Sequence, residues 1–108
     1  MTKYNWVYMT AGDMEEARAI GRFLVESRLA ACVNIIDNMK SLYWWEGEVQ
    51  EDEEVILIAK TVNVKVPELI DKVKAMHSYE CPCILALPIS TGNVDFFKWL
   101  DTQTSSLG

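Results

Sequence analysis

Apolar and polar positions along the chain change period several times, and each change marks an element. Residues 4–9 gather Tyr4, Trp6, Val7 and Tyr8, aromatic and β-branched side chains that suit a half-buried strand. Gly12 breaks the run. Asp13, with Glu16 three residues on, has the form of a capping box, in which side-chain oxygens satisfy free amides at a helix start. Met14, Ala17, Gly21, Leu24 and Arg28, flanked by Ile20 and Val25, recur at helical spacing and predict one core-facing stripe. Gly21 lowers helix propensity by about 1 kcal/mol relative to alanine, so its place on the stripe points to close packing against a sheet.

Residues 30–36 form a short apolar run that fits a buried strand, with Cys32 read as a core residue. Asp37-Asn38 interrupts it, residues 39–45 resume an extended segment, and Glu46-Gly47 reads as a hairpin turn. The returning strand, Val49 to Thr61, places Val55, Leu57 and Ala59 on one face and Ile56 and Ile58 on the other. Apolar residues on both faces require cover on both. Val66, Leu69, Ile70, Val73 and Met76 predict a second helix. Pro67 falls in its first turn, where a missing amide proton is tolerated. Cys83 to Ile89 is a last strand ending near Pro88. Asn93 caps a third helix bearing Phe96, Trp99 and Leu100. The polar residues from Thr102 to Gly108 are expected to fray.

The order β-α-β-β-α-β-α defines an α+β fold. It is a ferredoxin-like split βαβ sandwich, an antiparallel sheet with helices on one face, filling residues 1–108 as a single domain. The sheet's other face is then left open, and the hairpin carries Tyr43, Trp44 and Trp45. A chain of 108 residues has nothing left to cover that surface, so association with further copies through Tyr43, Trp44 and Trp45 is expected.

Composition narrows the function. Ten basic against sixteen acidic residues give a net charge of −6, which argues against nucleic-acid partners and against anionic membranes. No apolar run reaches the ~18–20 residues of a membrane span. The first residues lack the apolar core of a signal peptide, so the expected compartment is the cytoplasm. Cys32, Cys81 and Cys83 are too few for a disulfide scaffold.

Several stretches resemble one family. They are Leu29-Ala30-Ala31-Cys32-Val33-Asn34-Ile35-Ile36, Ser41-Leu42-Tyr43-Trp44-Trp45-Glu46-Gly47-Glu48, Glu53-Glu54-Val55, Lys60-Thr61, His77-Ser78-Tyr79-Glu80-Cys81-Pro82, Ala86-Leu87-Pro88-Ile89, Gly92-Asn93 and Trp99-Leu100. Together they resemble the CutA family of divalent-cation-tolerance proteins over roughly residues 4 to 101. The resemblance implies a ferredoxin-like subunit in a tight homotrimer whose second and third strands pair across subunits, as in PII signalling proteins. It implies a role in copper and divalent-metal tolerance by metal binding, and no catalytic reaction. The ligand positions it implies fall at Met9, at Met76 with His77 beside it, and at Cys83.

The residues themselves supply soft donors. His77 with Cys81-Pro82-Cys83 offers an imidazole and two thiols, a set suited to copper(I) or zinc. His77 and Cys83 are the expected first ligands for copper or another divalent metal, supported by Cys81 and Met76. The simpler reading of the two cysteines is structural, with Cys81 a small loop filler and Cys83 a buried strand residue. No cofactor is obligatory. The family resemblance further implies that Lys60, Tyr79 and Trp45 lie near a cleft between subunits, where the alternative function, PII-like sensing of a small metabolite or anion, would reside. Glu46, Glu48, Glu51, Asp52, Glu53 and Glu54 crowd the hairpin and read as a charged edge that discourages stray strand pairing. The loop Thr10-Ala11-Gly12-Asp13 lacks the arginine an acylphosphatase needs and the Cys-x-x-Cys of a copper chaperone.

Overall fold

The computed structural model describes residues 3–105. Its elements are β1 (Tyr4–Ala11), α1 (Met14–Glu26), β2 (Cys32–Trp45), β3 (Glu48–Val62), α2 (Val66–Met76), β4 (Ile84–Pro88) and α3 (Val94–Thr104), with a 3-10 turn at Asn63–Lys65 before α2. The four strands lie in the order β2-β3-β1-β4, and every pairing is antiparallel. This is the expected ferredoxin-like α+β sheet.

Local chemistry sets the boundaries. Asp13 caps α1 by accepting from the Glu16 amide at 2.8 Å. The helix ends sooner than its apolar stripe implies. Arg28 adopts φ 63°, and the Leu29 and Ala30 amides fold back onto the Leu24 carbonyl, a left-handed helix stop. Arg28 therefore leaves the stripe, and its guanidinium donates to the Gln103 carbonyl on α3 at 3.0 Å. Gly21 allows a close approach, because a Cβ there would stand only 3.3 Å from Cγ1 of Val33 on β2. The hairpin turns at Glu46 (φ 51°) and Gly47 (φ 79°), the pair of positive φ values that matches strand twist.

Asp37-Asn38 does not interrupt β2. The pairing steps from Ile36↔Ile56 to Met39↔Glu54, so two residues of β2 face one of β3. This is a β-bulge, with Asn38 at φ 63° and its amide bonded to Asp37 Oδ1 at 2.7 Å. Asn is among the few side chains that accept this backbone conformation.

Alternation along the strands then divides the sheet. Val7, Met9 and Ala11 of β1 and Val55, Leu57 and Ala59 of β3 are buried in one core with Ala17, Ile20, Leu24, Leu69 and Val73 of α1 and α2. The opposite side carries Trp6, Tyr8, Ile56, Ile58 and Lys60, and continues into Ile36, Leu85 and Leu87, which are exposed. The two helices of the split βαβ unit take the single face expected of them. α3, which follows that unit, crosses the end of the other face, where Phe97 stacks on Tyr4 at 4.2 Å and Lys60 lies over Phe96. Fraying at Thr102 is corrected, since α3 continues to Thr104. Thr104 is buried, and its hydroxyl donates to the Leu100 carbonyl at 2.8 Å. Residues 106–108 of that expected tail lie outside the described residues. Cys32, expected in the core, is instead half-buried opposite Lys60.

Leu57 is fully buried at the centre of the sheet. Leu57→Ala should lower stability by about 2–5 kcal/mol, the range for buried leucine truncations, measured by denaturant unfolding at fixed protein concentration.

Candidate functional site

A groove of about 870 Å³ runs between the distal half of the hairpin and the loop after α2. β1 contributes Tyr8 and Thr10 to its lining, β3 contributes Glu54, the hairpin contributes Lys40, Tyr43, Trp45, Asp52 and Glu53, and the loop contributes Tyr79, Glu80, Cys81 and Cys83.

The loop has no regular secondary structure from His77 to Cys83, and three polar anchors hold it. His77 caps α2, its amide bonded to the Val73 carbonyl at 3.0 Å, and its ring is fully buried. Nε2 lies 2.8 Å from the Thr10 carbonyl, which can only accept, so Nε2 carries the proton. Nδ1 accepts from the Tyr79 amide at 3.0 Å. Glu16 is the second anchor: its carboxylate accepts from the Ser78 amide at 2.7 Å, the Ser78 hydroxyl at 2.9 Å and the Gly12 amide at 3.2 Å. Burial alone would raise this carboxyl. The bonds from Ser78 and Gly12, with His77 nearby, outweigh burial and leave it below the ordinary carboxylate value. Third, the Tyr79 hydroxyl donates to Glu54 Oε2 at 2.8 Å. Burial raises the Tyr79 phenol, and the bond to Glu54 raises it further.

The groove is acidic. Its one lysine, Lys40, pairs with Glu53 at 2.5 Å, and the Tyr43 hydroxyl donates to Asp52. Burial pushes the Cys83 thiol up, with the charge of Glu54 and neighbouring Cys81 adding to it. Cys81 is exposed, and both cysteines are free.

The residues expected to share a metal are divided by the fold. Cys81 and Cys83 open onto the groove, whereas Met76 and His77 do not line it. His77 has both ring nitrogens engaged within the protein, and Met76 is exposed on the last turn of α2. Met9, at the position implied by family resemblance, is buried in the helix-facing core. Among the described residues, no three of His, Cys, Asp and Glu are grouped so as to hold a metal ion. Tyr79 and Trp45 do share the groove, but Lys60 lines a separate hollow of about 460 Å³ with Trp6, Leu87 and Phe96. Its ammonium donates to Asn34 Oδ1 at 2.6 Å. Tyr43 and Trp45 line the groove, and Trp44 is 74% exposed. Lys40, Glu54 and Tyr8 were not anticipated in the groove. Strand alternation is the only sequence signal for Glu54, which falls on the same face as Ile56 and Ile58.

Fold and groove together define a class: a ferredoxin-like domain with a long aromatic hairpin, an uncovered sheet face and an acidic, thiol-bearing groove. Residues 5–103 match the family model of CutA1 divalent ion tolerance proteins. The divalent-cation tolerance protein CutA of Archaeoglobus fulgidus is 48% identical over 98 residues, covering 91% of this chain and 95% of that one. A solved Archaeoglobus fulgidus structure, described as a periplasmic divalent cation tolerance protein CutA, superposes with a TM-score of 0.92 at 46% identity. It covers 94% of this chain and 99% of its own. CutA of Xylella fastidiosa gives a TM-score of 0.94 at 32% identity over 96% of this chain and 100% of its own. The chain belongs to the CutA1 divalent ion tolerance family. No helix among the described residues is long and apolar enough to cross a membrane.

Because the Glu16 carboxyl is held below its ordinary value near 4.5, its contribution to stability is complete above that pH. It is lost as the pH falls through the folded value. Stability of the wild type should therefore fall more steeply than that of Glu16→Gln as the pH is lowered from 6 to about 3; parallel curves in thermal melts across that range would show that the anchor is not ionic.

Proposed function

We propose that this protein acts as a homotrimer in tolerance of divalent metal ions, copper among them, by binding metal in the acidic groove without catalysis. The observation that carries the reading is the groove's chemistry. Two free thiols share it with Asp52, Glu53, Glu54 and Glu80, and its one lysine is already paired. That potential attracts cations and repels anions. The assembly is supported by the uncovered sheet face and by Trp44, Trp45 and Tyr43, all exposed in the single chain. Large exposed aromatics on a continuous surface mark an interaction site. The cytoplasm suits the three free cysteines, because a reducing compartment keeps them as thiols; the Archaeoglobus relative described as periplasmic makes fractionation of the native protein the check.

One observation favours a second reading. A groove of about 870 Å³ lies within the range of small-molecule pockets, so a PII-like trimer sensing a metabolite would also use it. With this charge, the metabolite would be neutral or cationic.

Light scattering at micromolar concentration should give a mass three times that of the chain, and Tyr43→Asp/Trp44→Asp should lower it. A wild-type monomer would sink the assembly. In cells lacking the protein and challenged with copper, the wild type should restore growth and Cys81→Ser/Cys83→Ser should not. Full restoration by the double variant would remove the thiols from the function and favour the small-molecule reading.

A further inference from the structure

We propose that Cys81-Pro82-Cys83 is a two-thiolate site selective for a monovalent soft cation, copper(I) or silver(I), over divalent ions. The inference rests on the metal-binding reading and narrows it to one ligand chemistry.

Three observations carry it. First, Cys81 and Cys83 are both free and both line the same groove. With one residue between them, their Cα atoms are at most about 7 Å apart, within reach of a single bridging ion. Second, the connection is stiff. All peptide bonds among the described residues are trans, Pro82 fixes its own φ, and Cys81 is restricted by preceding a proline. A donor pair held this way loses little conformational freedom when it closes on an ion. Third, the nearest imidazole is spent. His77 gives Nε2–H to the Thr10 carbonyl and its Nδ1 lone pair to the Tyr79 amide. Among the described residues, no three of His, Cys, Asp and Glu are grouped to hold a metal.

Donor number then decides the ion. A structural zinc site takes four ligands and calcium takes six to eight oxygens. Two thiolates alone complete the coordination of a linear d10 monovalent cation, and thiolate softness favours copper(I). On binding, each S–H bond breaks, two metal–sulfur bonds form, and two protons leave to solvent. The metal does not change oxidation state.

The test titrates the assembled protein with copper(I), silver(I) and zinc(II) in a thiol-free reducing buffer against a chromophoric chelator. Wild type, Cys81→Ser, Cys83→Ser and the double variant are compared, with circular dichroism confirming that each is folded. The expected result is one copper(I) or silver(I) per chain, held at least 100-fold more tightly than zinc(II). Either single serine should weaken the monovalent ion at least 100-fold, and X-ray absorption of the copper(I) form should show two sulfur neighbours. Zinc bound as tightly as copper(I) and lost in the same variants would overturn the selectivity while leaving metal binding at the groove intact. Copper(I) bound equally by the double variant would overturn the site and move the metal elsewhere. Failure of the folded wild type to bind any of the three ions would overturn both this inference and the reading it rests on.

Discussion

The pairing of β3 with β1 on one side and β2 on the other determines what every other part of the molecule can touch. Met9, Leu57 and Ile35 lie in one row across the three strands, and Tyr8, Ile58 and Asn34 lie in the next. Rows alternate between the two faces because the side-chain period of a strand is two. A slip of one residue would send the helix-facing row into solvent and bring Ile56 and Ile58 under α1 and α2. The register is thus tied to the core. It also delivers Tyr8 and Glu54 to the groove and the remaining apolar row to a surface that one chain leaves open.

The loop after α2 shows how an irregular segment becomes a defined wall. Its backbone makes no sheet ladder between His77 and Cys83, yet three contacts from distant parts of the chain orient it. Thr10 and Glu16 hold it from the β1–α1 region, and Glu54 holds it from β3. Each contact pairs a buried or half-buried polar group, and leaving such a group unpaired costs about 1–3 kcal/mol. The cysteines therefore sit on a segment fixed at its front end and handed directly to β4 at Ile84.

Much of the fold was legible because local chemistry and long-range pattern agree. Asp13 caps, Gly21 approaches β2, and Glu46-Gly47 turns where the chain must reverse. Apart from the local bulge at Asp37-Asn38, the misread places depend on tertiary packing that the local pattern does not carry. Arg28 continues a helical stripe on paper, but its guanidinium is claimed by Gln103. Thr102–Thr104 lack apolar period and still close a helix on which Leu100 and Thr104 are buried. In the site, thiol softness made Cys81 and Cys83 visible from the sequence. His77 showed the right chemistry but not its engagement with Thr10, 67 residues away. Lys60 was grouped with Tyr79 and Trp45, although its position on β3 sends it toward α3.

The bulge at Asp37-Asn38 has a consequence for how this hairpin could diverge. Before it, even-numbered residues of β2 share the face of Ile56; after it, odd-numbered ones do, which brings Tyr43 and Trp45 to the groove side. The extra residue works as a parity bit for the distal strand. Straightening the strand there with both residues kept would exchange Tyr43 and Trp45 for Leu42 and Trp44 without altering either side chain, whereas deleting the extra residue would leave both where they are. A groove lined by a phenol and an indole would become one lined by an aliphatic and a different indole, so the chemistry of this wall hangs on one backbone irregularity as much as on the side chains themselves.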